Sequence, residues 1–189
     1  LALALQEGVI QPNEKVYDSG ALTIGGWPIR NHDRKGNGVV DFATVLQVSS
    51  NVGMVQAMRK MRPSHYWDWL NRLGLDAKPD TDLPGAVAGQ LKTKEQFTNQ
   101  PIEPATAAFG QGFSLTPLKL VQLHALIANG GRLVSPHITR GLRAGHALAP
   151  SGERMGQPLL RPEVTRTVLN WMESVVEKGS GKGVRTPGY

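Results

Sequence analysis

Phe109-Gly110-Gln111-Gly112-Phe113-Ser114-Leu115-Thr116-Pro117-Leu118-Lys119-Leu120 is the stretch from which the rest of the chain is read. Thr116 followed by Pro117 predicts a helix start. A Thr oxygen accepts a backbone N–H that has no partner in the first turn, and Pro at the first helical position gives up no needed donor. Leu118, Val121, Leu126 and Ile127 follow at helical spacing as the apolar face, and Asn129-Gly130-Gly131 terminates the run. The Gly-x-Gly-x-Ser segment ahead of the cap is loop chemistry feeding a helix about 18 Å long.

Upstream, Val48-Ser49-Ser50-Asn51-Val52-Gly53 separates two apolar periodicities. Asp41 caps the first, whose inward residues are Phe42, Val45 and Leu46. The second uses Val52, Val55, Met58 and Met61 and ends before Pro63. The polar tripeptide therefore sits at a helix-to-helix junction, and taken alone it reads as the cap of the second helix. Pro63 to Leu73 is a further helix stopped by Gly74, with Trp67 and Leu70 in the core and Tyr66 and Trp69 on a half-exposed face.

Toward the start, Leu1–Gln6 reads as the end of an apolar helix that begins upstream, with Gly8 as a left-handed stop. Glu14–Asp18 and Leu22–Ile24 are extended, Gly25-Gly26 predicts a hairpin into Trp27-Pro28-Ile29, and Asn31–Gly38 is turn chemistry. Asp76–Pro104 is turn-rich. Downstream, Arg132–Thr139 is a strand candidate and Gly141–Pro158 reads as irregular. A last helix spans Pro162–Lys178 with Val164, Val168, Met172, Val175 and Val176 inward, ended by Gly179–Gly183. No repeat or heptad run is present.

Composition narrows the function classes. The chain has 189 residues, 40% hydrophobic and 19% charged, enough to bury a core. Zero Cys excludes disulfides, thiol nucleophiles and thiolate metal sites. The net charge of +6 lies mostly after Ala128, where 9 basic residues face 4 acidic ones. The densest basic group is only Arg59, Lys60 and Arg62, so a solvated surface is favoured over a nucleic-acid partner. No apolar run approaches the roughly 18 residues of a membrane span.

Three other constellations take structural readings. Gly179-Ser180-Gly181-Lys182-Gly183 lacks the spacing, the hydroxyl residue and the following helix of a phosphate loop. His32, His65, His124, His137 and His146 contain no helical pair, so no metal site is expected. Asp80 and Asp82 could pair for acid–base work, but an Asp-rich turn is the simpler account.

The order Ser49-Ser50-Asn51, then Gly110-Gln111-Gly112-Phe113-Ser114-Leu115-Thr116-Pro117-Leu118-Lys119-Leu120, then Ala128-Asn129-Gly130-Gly131 resembles the transpeptidase domain of class B penicillin-binding proteins. The division-type peptidoglycan D,D-transpeptidases are the nearest in wording. The likeness covers essentially residues 1–189. It implies the α/β fold of penicillin-binding proteins and serine β-lactamases, an antiparallel sheet with helices and a helical lobe beside it. This segment is expected to be mostly the helical lobe, mainly helical with a few short strands. Of the family's three motifs, Ser-x-x-Lys, Ser-x-Asn and Lys-Thr-Gly, only the second occurs here. By resemblance the first would end a few residues before Leu1 and the third begin a few residues after Tyr189, so the domain is expected to be truncated at both ends.

The resemblance implies a serine acyl-enzyme mechanism on the D-Ala-D-Ala end of a peptidoglycan stem peptide, with acylation by penicillins and other β-lactams. Ser49 would relay a proton from the missing Lys to the leaving amine, and Asn51 would hold that Lys and the substrate backbone. Ser50 would point elsewhere and serve as a negative control, and the fragment alone would be inactive. No cofactor, metal or nucleic acid is implied. The parent would be anchored in the bacterial plasma (inner) membrane with this domain on the periplasmic side, among division or cell-wall synthesis proteins. Rival outcomes are a serine β-lactamase or β-lactam sensor of the same fold, or a non-catalytic cell-wall or division scaffold.

Overall fold

A computed structural model describes residues 1–144, 147–150 and 155–188. The first helix, α1 (Ala2–Gln6), is short and ends at Gly8, whose φ of +70° supplies the expected left-handed stop. Two antiparallel ribbons follow. β1 (Lys15–Asp18) pairs with β4 (Gly38–Asp41), and β2 (Ala21–Ile24) pairs with β3 (Trp27–Arg30) across Gly25-Gly26, both at positive φ as a type I′ turn requires. β4 is a strand that the sequence reading did not assign; it follows the turn at residues 31–37.

Asp41 Oδ1 accepts from Thr44 N at 2.8 Å and starts α2 (Phe42–Gln47). α3 (Asn51–Met58) follows with Val52, Val55 and Met58 inward, and α4 (Pro63–Arg72) begins on Pro. The face of α4 differs from the expected one. Tyr66 and Trp69 are buried and Trp67 is only half-buried. The cause lies in its neighbours: α5 (Lys94–Asn99) brings Phe97 edge-on to the Tyr66 ring at 5.7 Å, and Glu7 accepts from Trp69 Nε1 at 2.7 Å.

α5 and α6 (Ile102–Ala107) lie in or overlap the stretch read as turn-rich. The Thr93 and Gln96 side chains cap α5 reciprocally. α7 (Pro117–Ala128) starts as expected, with Thr116 Oγ1 accepting from Lys119 N at 3.1 Å. Its buried residues are Lys119, Gln122 and Leu126, whereas Val121 is exposed. A Lys can lie inward because its methylene stem is apolar and its ammonium reaches the Leu73 carbonyl at the end of α4, 3.4 Å away.

β5 (Arg132–Val134) pairs with β8 (Met155–Pro158), and β6 (Gly141–Ala144) pairs with β7 (Ala147–Pro150), so the stretch read as irregular contains three short strands. His146 lies outside the described residues. α8 (Pro162–Glu177) buries Val164, Val168 and also Trp171, leaving Met172, Val175 and Val176 half-buried, and it packs on α1, α2 and α7. Helices thus dominate, joined by strands of three or four residues. Among the described residues no helix is long and apolar enough to cross a membrane.

Candidate functional site

Only Val48, Ser49 and Ser50 separate α2 from α3. Ser49 N donates to Leu46 O at 3.2 Å and Ser50 N to Val45 O at 2.9 Å, the paired bonds of a Schellman cap. The cap's left-handed position falls on Ser49, at φ +57°, where Gly is usual. Ser50 then caps α3, its Oγ accepting from Gly53 N at 2.9 Å. Ser49 and Ser50 thus have opposite surroundings: Ser49 is exposed at the surface, and Ser50 is 1% exposed.

Ser50 points away from Ser49's surface into an enclosed polar cage. Its hydroxyl faces Asp18 Oδ2 at 2.7 Å and Asn31 Oδ1 at 3.3 Å. A hydroxyl has one proton, and the shorter contact to the carboxylate takes it. Asp18 ends β1 at 0% exposure and accepts as well from Gly20 N at 2.8 Å, from Asn31 Nδ2 at 3.0 and 2.9 Å, and from Asn37 Nδ2 at 2.6 Å. Burial by itself pushes the Asp18 carboxyl up. The hydrogen bonds from Asn37, Ser50, Gly20 and Asn31 outweigh it and hold the group below the usual carboxylate range.

Close backbone approach completes the cage. A Cβ at Gly20 would stand 2.5 Å from Gly36 N, and one at Gly36 would stand 2.8 Å from Asp18 O, so both turns need Gly to touch. Asn31 Oδ1 accepts from Val52 N at 3.1 Å, which ties the same cage to the first turn of α3.

Asn51, the first residue of α3, donates from Nδ2 to Arg30 O at 2.8 Å. It lines a groove of about 290 Å³ with Trp27, Ile29, Thr106, Phe109 and Gln111. The expected site residues Ser49 and Asn51 therefore share one junction, and the segment after Phe109 reaches the same groove. From the far side, the end of α8 holds α2: Ser180 N donates to Gln47 O at 2.8 Å and Gln47 Nε2 to Ser174 Oγ at 2.9 Å. Leu1–Ala4 line a cavity together with Met54, Ala57 and Met58 of α3.

The remaining candidates are structural. Asp82 accepts from Ile138 N and Thr139 N, both at 2.8 Å, and Asp80 from Ser135 Oγ at 3.1 Å, so the two carboxylates tie down the chain after β5. The hydrogen bonds from Thr139 and Ile138 hold the Asp82 carboxyl at about 2. Gly179-Ser180 packs against α2 and is followed by a short 3₁₀ turn at Lys182–Val184. Among the described residues no His, Asp or Glu cluster suited to a metal occurs.

Sequence reasoning passed over Asp18 and Asn31, which read as the last residue of an extended segment and as turn chemistry. The available signal was the alternation in β1, which puts Asp18 on the same inward face as Val16.

A family model, the penicillin-binding protein transpeptidase domain, matches residues 1–189. Among curated proteins, the peptidoglycan D,D-transpeptidase FtsI homolog of Mesostigma viride is 32% identical over 100% of this chain and 36% of its own length. Penicillin-binding protein PbpB of Mycolicibacterium smegmatis is 30% identical over 100% of this chain and 30% of its own. The chain thus spans about a third of the length of these relatives. Among solved structures, the apo transpeptidase domain of Burkholderia pseudomallei penicillin-binding protein 3 superposes with a TM-score of 0.85 at 30% identity, covering 100% of this chain and 54% of that one. Penicillin-binding protein 3 of Mycobacterium tuberculosis complexed with aztreonam gives 0.88 at 25% identity, covering 100% and 43%. Over its whole described length, the chain belongs to the transpeptidase domain family of the class B penicillin-binding proteins.

Proposed function

We propose that this chain is the interior of a peptidoglycan D,D-transpeptidase domain in which Ser49 and Asn51 act on an acyl-enzyme formed by a Ser-x-x-Lys motif beyond Leu1. The observation that carries the reading is Ser49 itself, a non-Gly residue in the left-handed region at the surface, beside an Asn that lines a groove. Backbone strain of this kind concentrates at functional sites.

The nucleophilic Ser attacks the carbonyl of the penultimate D-Ala while the motif Lys takes its proton, activating a hydroxyl that is a poor nucleophile at its own pKa. The Ser49 hydroxyl accepts a proton from that Lys and passes its own to the leaving D-Ala amine, which departs as the tetrahedral carbon collapses to the ester. A hydroxyl suits this step because it donates and accepts at one atom. Asn51 offers an uncharged acceptor to the Lys and a donor to the substrate backbone, while its bond to Arg30 O fixes the side chain. The amine of a second stem peptide then resolves the ester, and a β-lactam ring enters by the same first step. The cavity shared by Leu1–Ala4 and α3 supports the arrangement, since a helix running into α1 would approach α3 at its side.

The chain by itself, with neither nucleophile nor Lys-Thr-Gly strand, forms no acyl-enzyme. In its parent the domain works outside the plasma membrane, in wall synthesis at division. The test is acylation by a fluorescent penicillin in a protein that carries the complete domain. Ser49→Ala and Asn51→Ala should each slow it by about 10²-fold or more. Wild-type rates for both would defeat the reading, and fast turnover of a chromogenic cephalosporin would make the protein a hydrolase instead.

A further inference from the structure

Among the described residues, Asp18 is a buried carboxylate with no cation among its hydrogen-bond partners. A charge buried at this depth is stabilised only when fully hydrogen-bonded. Here every partner donates to it, and the one hydroxyl among them belongs to the residue between Ser49 and Asn51.

We propose that Asp18 is a positioning residue for acyl transfer, acting through Ser50 to fix the left-handed backbone of Ser49 and the first turn of α3 at Asn51. The inference rests on the reading that Ser49 and Asn51 serve the reaction.

Three links transmit the constraint. Asp18 Oδ2 accepts a hydrogen bond from the Ser50 hydroxyl, which turns the Ser50 lone pairs toward Gly53 N and sets the N-cap of α3. Asn31, held on Asp18 by its amide nitrogen, presents Oδ1 to Val52 N and so locks the residue after Asn51. Asn31 also follows Arg30, whose carbonyl receives the Asn51 amide. Asn51 is thereby held through the backbone at Val52 and through its side chain at Arg30, and both anchors trace to one carboxylate. Ser49, directly before Ser50, has its left-handed φ clamped between the Schellman bonds to α2 and this cage. Without the cage Ser49 is free to relax toward the right-handed region that an L-residue prefers.

The experiment uses a protein carrying the complete domain and follows acylation by a fluorescent penicillin over a range of concentrations. This separates the dissociation constant of the first complex from the limiting acylation rate constant. Asp18→Asn swaps one oxygen for a donor amide that faces other donors. Ser50→Gly keeps an acceptable N-cap residue but severs the link to Asp18. Val55→Ala, a core truncation on α3 that removes none of the cage's hydrogen bonds, is the control for lost stability.

Asp18→Asn and Ser50→Gly should each lower the limiting rate constant about 10-fold or more, with the dissociation constant within about twofold, because misplacing a group near the chemistry costs rate and not ground-state binding. Val55→Ala should lower the melting temperature at least as far and leave the rate constant unchanged. If Asp18→Asn does not fold, Ser50→Gly carries the test alone. A wild-type rate constant in the folded Asp18 or Ser50 variant, with Ser49→Ala slowed, overturns the inference and leaves the function reading standing. Ser49→Ala at the wild-type rate fails that reading. Equal slowing in Val55→Ala reduces Asp18 to a stability residue and also overturns the inference.

Discussion

Holding Ser49 in the left-handed region costs about 1–2 kcal/mol against the right-handed alternative, while a Gly there would lose about 0.5–1 kcal/mol more backbone entropy on folding. The first effect is the larger, so Ser49→Gly is expected to stabilise the protein by about 0.5–1 kcal/mol in urea unfolding while acylation slows. A gain in stability without loss of rate would reduce Ser49 to a cap. At Asp18 the folded-state pKa lies below the unfolded carboxylate value of about 3.9, so its contribution to stability is complete above that pH and is lost as pH falls toward the folded value. Wild type should therefore lose stability more steeply than Asp18→Asn below about pH 4 in acid-unfolding scans. The junction at Ser49–Asn51 was legible in the sequence as a polar tripeptide between two apolar periods, although taken alone it read as a helix cap. Asp18 and Asn31 were not, because the partners that make them important lie 32 and 19 residues away at Ser50.

Between elements, the contact of α2 with α3 depends on a missing side chain. A Cβ on Gly53 would stand 2.4 and 2.7 Å from the two methyl carbons of Val45, which is fully buried. Helix propensity favours Ala over Gly by about 1 kcal/mol, but overpacking a closed contact costs about 1–3 kcal/mol, and stiff Val45 cannot turn away. Gly53→Ala should lower stability, and an unchanged urea midpoint would contradict the tight α2–α3 contact. Helix starts at Asp41, Thr116 and Pro162 were readable because caps are local chemistry. Buried faces were less so. Tyr66 and Trp69 on α4, and Lys119 and Gln122 on α7, go inward because Phe97, Glu7, Leu73 O and Val134 O are waiting for them, and those partners are distant in sequence. α5 was legible in principle, since Thr93-x-x-Gln96 is a capping-box pattern.

Over the whole molecule, α8 ties the start of the chain, at its head, to the Ser49 junction, at its far end. α1 is bonded to Arg161 at the head of α8 through Gln6 and Leu5 O, and the residues after α8 are bonded to the end of α2. Under the proposed function the nucleophile precedes α1 and the last strand follows α8. The 189-residue chain alone is accordingly expected to take no covalent label from a fluorescent penicillin, and labelling would show a nucleophile within these residues. Overall architecture was readable from the order of motifs along the chain, and Gly25-Gly26 marked the β2–β3 hairpin, whereas the other strand pairings were not readable, because short ribbons of three or four residues carry little periodicity. The most direct measurement is the limiting acylation rate constant of Ser49→Ala in a protein carrying the complete domain. The expected result is a fall of about 10²-fold or more with the fold intact, and an unchanged rate constant would contradict a role for Ser49 in proton transfer.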